Sequence, residues 1–212
     1  MSTPEPRAVV FDLGGVVFPS PIDELRAYEA ERRLPHRFLS ETILADPEHS
    51  AWGRMERGEL TVEQFVPAFE LECAARGYEV DAAAVMKRLG DGLAPRPEML
   101  LAIGTIRARG QRTAALTNNW VEGGGRRGDG PLDGVFDVIV ESARVGLRKP
   151  DPAIYRLVCD ELGVEPPEVV FLDDLGANLK PARAMGMRTI KVTDPHDAIR
   201  ELGQMLGFAL DQ

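Results

Sequence analysis

Cysteine is scarce in this sequence: Cys73 and Cys159 are the two in 212 residues. They lie far apart and lack the CxxC spacing of a zinc or redox site, which argues against a cysteine-held metal. Both fall in segments with helical patterning. We therefore expect two buried apolar thiols in a reducing compartment.

Long apolar runs and an excess of positive charge are also missing. No segment has 18 consecutive apolar residues, and no basic stretch followed by an apolar run stands at the start, so neither a membrane span nor a secretion signal is expected. The formal net charge is -9 and the pI about 5.0, which disfavours binding to nucleic acid or to an anionic membrane. We expect a cytoplasmic protein, either a monomer or a homodimer, whose partner is a small molecule.

What the sequence does have is a series of short buried strands. These runs are rich in Val, Ile and Phe and end at Gly, Asp or Asn, and helical patterns separate the later ones. Such alternation predicts an α/β fold, a doubly wound (Rossmann-like) parallel sheet covered on both faces. The predicted strands are Ala8–Phe11, Thr113–Leu116, Val138–Val140, Val169–Leu172 and Arg188–Val192, and the predicted helices of this core are Pro97–Arg109, Ala153–Leu162 and Leu179–Met185.

Residues 19–89 interrupt this alternation, because they show helical periodicity and no convincing strand. Thr61 and Gln64 form a capping-box pattern at the start of one helix, and Asp81 is a plausible N-cap for another. A further helix is predicted to begin near Ile22. We interpret 19–89 as an inserted α-helical cap over the carboxyl edge of the sheet, with 1–18 and 90–212 forming the core.

Polar residues follow several of the predicted strands. Asp12 comes directly after the first strand, and by itself it could be a turn residue. Gly14 and Gly15 would let the backbone fold tightly around an anion or a metal. Thr117 and Asn118 end another strand, where they could hold a phosphate oxygen or orient a nucleophile, or simply cap a helix.

Two further groups complete the set. Lys149 lies ahead of a Pro-rich turn, where its ammonium could neutralise a phosphoryl group, although a lone lysine is more often solvated. Asp173 and Asp174 follow the apolar run VVFL, with Asn178 shortly after. Adjacent carboxylates at a strand end repel each other unless a cation lies between them and Asp12, and hard oxygen ligands select Mg²⁺.

The order of these four groups, each at a strand's carboxyl end, is more specific than any one of them. With this order the chain resembles haloacid dehalogenase-like (HAD) hydrolases, of the subfamily (IA) with a helical cap of the C1 type between the first and second motifs. Over most of its length it is similar to the N-terminal phosphatase domain of soluble epoxide hydrolase. The stretches that carry this resemblance are ALTNNW, FDVIVESARVGLRKPDPAIY and EVVFLDDLGANLKPARAMGM.

The resemblance implies a role for each group. Asp12 would attack phosphorus and form an aspartyl-phosphate, while Thr117 and Lys149, helped by Asn118 and Gly15, would bind the phosphoryl group. Asn178 would position Lys149 or its loop. The implied ligands of Mg²⁺ are Asp12, Asp174, the carbonyl of Gly14 and, directly or through water, Asp173.

One position departs from the family pattern. Phosphatases of this family usually carry a second Asp two residues after the nucleophile, which protonates the leaving group, and this chain has Gly14 there. General acid–base catalysis contributes about 10² to 10⁴ in rate. Three hypotheses follow: a phosphatase for substrates with a good leaving group or another proton donor, a dehalogenase-type displacement at carbon, or a binding protein without turnover.

Several other residues have two interpretations. His36 and His49 are possible proton donors but more often would be surface histidines. Arg126 and Arg127, in the glycine-rich stretch 122–130, could meet an anionic substrate or simply be exposed. Arg54, Trp52 and Met55 could line the site, although a place in the cap core is the preferred prediction for Trp52.

Overall fold

The computed structural model describes residues 4–90, 94–120 and 132–210. Its centre is a parallel sheet whose five strands lie in the order β3-β2-β1-β4-β5. The strands are β1 (Ala8–Phe11), β2 (Arg112–Thr117), β3 (Val138–Glu141), β4 (Val169–Asp173) and β5 (Arg188–Lys191). The chain runs outward from β1 to β3, then returns to the other side of β1, so the strand order reverses between β1 and β4. The predicted α/β parallel sheet is confirmed.

Helices cover both faces of the sheet. One face packs on α6 (Pro97–Ala108) and α10 (Pro195–Leu206), and the other on α8 (Pro152–Leu162) and α9 (Gly176–Ala184). The central strands are buried on both sides, because alternate side chains enter the two apolar layers, and this explains their unbroken Val, Phe and Leu runs. Helix α10 has no counterpart among the predicted helices.

Residues 21–90, here called the inserted helices, form five helices between β1 and α6. They are α1 (Pro21–Arg32), α2 (Phe38–Ala45), α3 (Ala51–Glu56), α4 (Val62–Ala75) and α5 (Ala82–Gly90). Their apolar side chains form a cluster of their own, built around Trp52, Phe65 and Phe69. That these helices are a separate cap domain with the predicted bounds stays a prediction.

Local signals account for some of these helices and not for others. The capping box of α4 is present as predicted, with Thr61 and Gln64 bonding each other's main chain, and Asp81 accepts a hydrogen bond from the amide of Ala84. Helices α2 and α3 are short and were not predicted. The first turn of α2 depends on a distant residue: the buried Glu29 carboxylate accepts from the amides of Arg37 and Leu39, at 2.9 and 2.8 Å.

The structure bears on two features that the sequence has little of, apolar helices and cysteine. Within residues 4–90, 94–120 and 132–210, no helix has both the length and the apolar character that a membrane crossing requires. Cys73 and Cys159 are both buried free thiols, as predicted.

Candidate active site

Two carboxylates meet where the strand order of the sheet reverses. Phe11 in β1 lies opposite Leu172 in β4, and the Asp12 amide donates to the Leu172 carbonyl at 2.9 Å. The next residues of the two strands, Asp12 and Asp173, are therefore neighbours at the carboxyl edge. Both side chains are buried, as expected for groups held between covered strands.

Lys149 lies between these two carboxylates. Its Nζ is 2.8 Å from Oδ2 of Asp12 and 2.8 Å from Oδ2 of Asp173, and the residue is 1% exposed. The other oxygen of Asp12 accepts from the amide of Leu13 at 2.7 Å, so both of its oxygens are held. The solvated interpretation of this lysine is thus wrong.

Asp173 is satisfied by further donors. The amide of Leu175 donates to its Oδ1 at 2.8 Å, and Nδ2 of Asn178 lies 3.1 Å from both oxygens. The hydroxyl of Tyr155 donates to the carbonyl of Asn178 at 2.8 Å. Asn178 therefore acts on Lys149 indirectly, by fixing the carboxylate to which the lysine binds.

Asp174 reaches the same edge because Gly15 makes room for it. A Cβ on Gly15 would lie 2.3 Å from Oδ2 and 2.5 Å from Cγ of Asp174, and the backbone of Gly15 has a φ of +77°. Only glycine adopts this conformation without strain and leaves that space. Ser20 lies beside Asp174, and its hydroxyl opposes part of the rise in the pKa of that carboxyl. Gly15 thus shapes the acidic cluster, and its predicted contact with substrate stays a prediction.

These groups carry more negative than positive charge. Burial raises the pKa of Asp174 to about 6, with Asp173 adding to the rise and Lys149 opposing it. Burial also raises the pKa of Asp12. For Lys149 burial acts in the opposite direction, yet the attraction of Asp12 and Asp173 outweighs it and raises the pKa, so the ammonium stays charged.

The cluster fits a divalent cation. One oxygen each from Asp12, Asp173 and Asp174 can be chosen so that all three lie within 4.8 Å of one another. Three carboxylates and one ammonium give a formal charge of -3 + 1 = -2, which a divalent ion would balance. All three donors are hard oxygens, the type that Mg²⁺ prefers. Gly14 lies in the turn that follows Asp12, and its predicted carbonyl ligand stays a prediction.

Comparison with known proteins now identifies the family. The family model for haloacid dehalogenase-like hydrolases matches residues 6–186. The chain belongs to this family. It is 39% identical to mouse acyl-CoA dehydrogenase family member 10 over 96% of the chain, and 39% identical to pig bifunctional epoxide hydrolase 2 over 97%. It spans 19% and 40% of the length of these two relatives.

A third relative matches over most of its own length. The chain is 30% identical to phosphoglycolate phosphatase of Rhodospirillum rubrum, covering 96% of this chain and 87% of that protein. Together with the epoxide hydrolase match, it confirms the resemblance to HAD hydrolases drawn from the sequence motifs.

Solved HAD structures share the fold. A predicted HAD-like family hydrolase from Porphyromonas gingivalis aligns with a TM-score of 0.67 at 24% identity, covering 96% of this chain and 98% of that one. A HAD family enzyme from Bacteroides thetaiotaomicron, in complex with magnesium and inorganic phosphate, has a TM-score of 0.59 at 18% identity, covering 88% and 93%. The L-2-haloacid dehalogenase of Xanthobacter autotrophicus with covalently bound chloropropionic acid has a TM-score of 0.58 at 21%, covering 94% and 82%. The HAD fold alone therefore does not choose between the two chemistries.

The second strand end of this HAD hydrolase supplies Thr117 and Asn118. Thr117 is buried at the end of β2, beside β1, and its hydroxyl donates to the carbonyl of Asn118 at 3.3 Å. The Asn118 amide faces the main chain of Lys149: its Oδ1 accepts from the Lys149 amide at 2.8 Å, and its Nδ2 donates to the Lys149 carbonyl at 3.0 Å. In this arrangement Asn118 holds the lysine, and its predicted binding of substrate stays a prediction.

Other residues singled out in the sequence lie elsewhere. His36 and His49 are exposed, and His49 pairs with Asp46 at 3.2 Å. Trp52 and Met55 are buried in the cluster of the inserted helices, which confirms the assignment of Trp52 to that core, and Arg54 pairs with Glu59 at 3.5 Å. Arg126 and Arg127 lie outside the described residues.

Sequence reasoning missed Ser20, Tyr155, Glu56 and Arg148. Arg148 had a signal, since it stands next to Lys149 in the GLRKPDP stretch. Tyr155 ends the FDVIVESARVGLRKPDPAIY stretch, whereas Ser20 and Glu56 had no signal, because their contacts join segments that are far apart in the chain.

Proposed function

We propose that this HAD hydrolase is a Mg²⁺-dependent phosphatase that acts on a small phosphorylated metabolite through an aspartyl-phosphate intermediate. The observation that carries the proposal is the group of three carboxylates around one buried ammonium, with a formal charge that a divalent cation would balance. The two buried free thiols accord with the cytoplasm as its location.

The residues divide the work as phosphoryl transfer requires. An oxygen of Asp12 forms a bond to phosphorus as the bond to the leaving oxygen breaks, and water then attacks the aspartyl-phosphate to release phosphate. The Lys149 ammonium neutralises charge on the phosphoryl oxygens, and the Thr117 hydroxyl donates to one of them. Mg²⁺ held by Asp12, Asp174 and Gly14, with Asp173 beside them, would add charge neutralisation and orient the phosphoryl group.

Similar proteins support phosphate as the group transferred. Two relatives that the chain matches over most of their length are phosphatases: the R. rubrum phosphoglycolate phosphatase at 30% identity and a Mycobacterium tuberculosis phosphatase at 32%, which the chain covers to 87% and 86%.

Gly14 defines the substrate class within this proposal. With no carboxyl at that position, the leaving oxygen must depart without a proton from this residue or receive one from water or the substrate. Acyl, anomeric and enol phosphates have leaving groups that meet this condition. His36 and His49 are poor replacements, because both are exposed and His49 is paired outside the site.

The second candidate function is displacement of halide at carbon by Asp12. It needs neither a metal nor a proton donor, and the fold is compatible with it. The presence of Asp174 in the cluster argues against displacement at carbon. Asp12 and Asp173 share the Lys149 ammonium, whereas the pKa of Asp174 in the same cluster is raised to about 6, a rise that a cation would reverse. The third candidate, a binding protein without turnover, keeps the same metal site.

The test is a panel of acyl, enol, anomeric and alkyl phosphates, assayed with and without Mg²⁺. Turnover should require Mg²⁺ and fall by at least about 10³-fold in Asp12→Asn, since the nucleophile is lost. Asp160→Asn, at an exposed position on α8, is the matched control and should keep full activity.

Other outcomes would favour the other candidates. Chloride release from 2-chloropropionate without Mg²⁺ would support displacement at carbon. Mg²⁺ binding with no turnover on any phosphate would support the binding protein. Activity that survives in Asp12→Asn would rule out the aspartyl-phosphate.

A further inference from the structure

One ion pair, with side chains 14% exposed at Arg148 and 10% exposed at Glu56, joins the inserted helices to the segment that carries Lys149. Glu56, the last residue of α3, is 8% exposed, and its Oε2 lies 2.7 Å from Nε and 2.6 Å from Nη2 of Arg148. Its Oε1 accepts from the indole N–H of Trp52 at 2.9 Å. Arg148 also donates to the carbonyl of Pro47 at 2.9 Å. Both oxygens of the carboxylate are therefore used, and the guanidinium is fixed at two points of the inserted helices.

Asn118 connects this ion pair to Lys149. Its Nδ2 lies 3.4 Å from Oε2 of Glu56 and donates to the Lys149 carbonyl at 3.0 Å, while its Oδ1 accepts from the Lys149 amide at 2.8 Å. If the Asn118 amide were turned around, its oxygen would face the Glu56 carboxylate and the Lys149 carbonyl, which are both acceptors. These hydrogen-bond partners therefore fix the orientation of the Asn118 side chain. Both main-chain polar groups of Lys149 are thus held by a side chain that also contacts Glu56.

A second close contact keeps the two segments in register. Gly58 follows α3 with a φ of +70°, and a Cβ there would lie 2.2 Å from the carbonyl oxygen of Ala143 in the short helix α7 (Ser142–Val145). The inserted helices therefore meet the core main chain directly, a few residues before Arg148. A shift of α3 would be transmitted to that segment, because no flexible side chain lies between the two backbones.

We infer that Glu56 is a positioning residue for the reaction, which holds Lys149 in place through Arg148 and Asn118. The inference rests on the proposed function, since it gives Lys149 the task of neutralising the phosphoryl group. Lys149 has to place one nitrogen 2.8 Å from two carboxylates, and a small displacement would weaken both contacts. The inserted helices thereby take part in the catalytic geometry.

The first test is kinetic and uses Glu56→Gln. This variant keeps the shape and an acceptor for Trp52 but removes the charge that holds Arg148. We expect kcat to fall about 10- to 100-fold at saturating Mg²⁺, with a smaller change in KM, because the contribution of Lys149 is largest in the transition state. Arg148→Lys keeps the charge and loses the forked geometry, so its kcat should lie between those of wild type and Glu56→Gln.

The matched control is Glu59→Gln. Glu59 stands three residues further on and also pairs with arginines, Arg57 at 2.5 Å and Arg54 at 3.5 Å. It is exposed, and these two ion pairs do not include Arg148 or Asn118, through which Glu56 acts on Lys149. Its kcat should match wild type. All variants are assayed well below their own thermal transitions, so that loss of folded protein does not enter the comparison.

The second test does not depend on activity. The Lys149 amide donates to Asn118, so its hydrogen exchange, measured by NMR on the full chain, reports whether that clamp is closed. Exchange at Lys149 should be faster in Glu56→Gln than in wild type or Glu59→Gln, while exchange in β1 and β4 is unchanged.

The two tests separate the inference from the proposed function. If wild type hydrolyses no phosphate, the proposed function fails, and the exchange of the Lys149 amide still decides whether Glu56 fixes the lysine. If Glu56→Gln lowers only the thermal transition and leaves kcat and the exchange of Lys149 as in wild type, Glu56 is a structural residue and the inference is overturned.

Discussion

The core sheet and the inserted helices bury different kinds of side chain. The interior of the sheet is built mainly from aliphatic residues, and it also encloses the charged groups Asp12, Lys149 and Asp173. The cluster of the inserted helices is built around stacked and edge-on aromatic rings, Trp52, Phe65 and Phe69, with centroids 5.2 to 5.9 Å apart. The charged groups of the proposed chemistry thus lie in the core sheet, and the inserted helices pack around a cluster of aromatic rings.

This difference indicates how the two regions share the work. Asp12, Thr117 and Asp173 stand at strand ends, whose positions are fixed by main-chain pairing over the whole sheet, whereas Lys149 lies in the loop before α8. The inserted helices contact residues near these groups, through Glu56 with Arg148 and Trp52 with Trp120. Changes in the inserted helices can therefore act on the segment of Arg148 and Lys149 while the strand ends stay in place.

The largest expected effect is on the acidic cluster, in Gly15→Ala. A methyl group would collide with Asp174 at 2.3 Å, and a φ of +77° is strained for alanine. We expect Mg²⁺ binding, measured by calorimetry, to be lost and turnover to fall by about 10²-fold or more. Gly104→Ala is the control, since that helical glycine has open space around it and no positive φ; it should bind Mg²⁺ normally. Normal binding by Gly15→Ala would show that Asp174 is not a ligand.

The next prediction concerns how the two regions unfold. Phe69→Ala in the inserted helices and Phe171→Ala in β4 each remove a fully buried ring and should each cost about 3 to 5 kcal/mol. The two tryptophans of the chain are in ring contact at the junction of the two regions, so fluorescence reports on the inserted helices and circular dichroism on the whole chain. In Phe69→Ala the fluorescence transition should come at lower denaturant than that of circular dichroism. Coincident transitions in both variants would mean one cooperative unit, against the predicted cap domain.

A smaller effect is expected from restoring an acid at Gly14. A Cβ at this position would lie 3.2 Å from Cδ of Pro21, the first residue of α1, so a small displacement of that ring accommodates it. Gly14→Asp should raise turnover on alkyl phosphates by up to about 10²-fold, because a carboxylic acid can then protonate the leaving oxygen. Gly14→Asn, of similar size but without an acidic proton, is the control. Equal rates for the two variants would mean that the missing acid does not limit the enzyme.

The smallest expected effect compares one thiol from each region. Burial raises the pKa of Cys73 in α4 and of Cys159 in α8 to about 12, so in the folded protein both stay protonated at pH 8 and resist labelling. The ordinary pKa of a cysteine thiol, 9.0, applies to the unfolded chain, so the two thiols do not make the free energy of unfolding depend on pH well below pH 9. As pH rises from 9 to 12 the unfolded chain loses these protons and the folded protein keeps them, so the free energy of unfolding falls.

Labelling rates of single-cysteine variants check this comparison. Cys73 is measured in the Cys159→Ala variant, and Cys159 in the Cys73→Ala variant. We expect Cys73 to react faster, by about tenfold for each 1.4 kcal/mol by which the free energy of opening is lower in the inserted helices than in the core. Faster labelling of Cys159 would show that the core opens more easily than the inserted helices.

Prediction from sequence succeeded where one local pattern decides the outcome. The strands were recognised from short apolar runs, and their observed bounds differ by one residue at most, as in Val169–Asp173 against the predicted Val169–Leu172. The capping box of α4 is another local signal. Helices α2 and α3 were missed because they are short and depend on distant partners, such as Glu29 for the first turn of α2.

By itself, the sequence determined the parallel α/β core and the set of polar strand ends, because main-chain pairing and the alternation of buried side chains follow from short segments. Only the tertiary structure decided that Lys149 bridges Asp12 and Asp173, that Gly15 makes room for Asp174, and that Glu56 reaches Arg148. These contacts join residues separated by many positions, and their geometry depends on how whole elements pack, which no local pattern encodes.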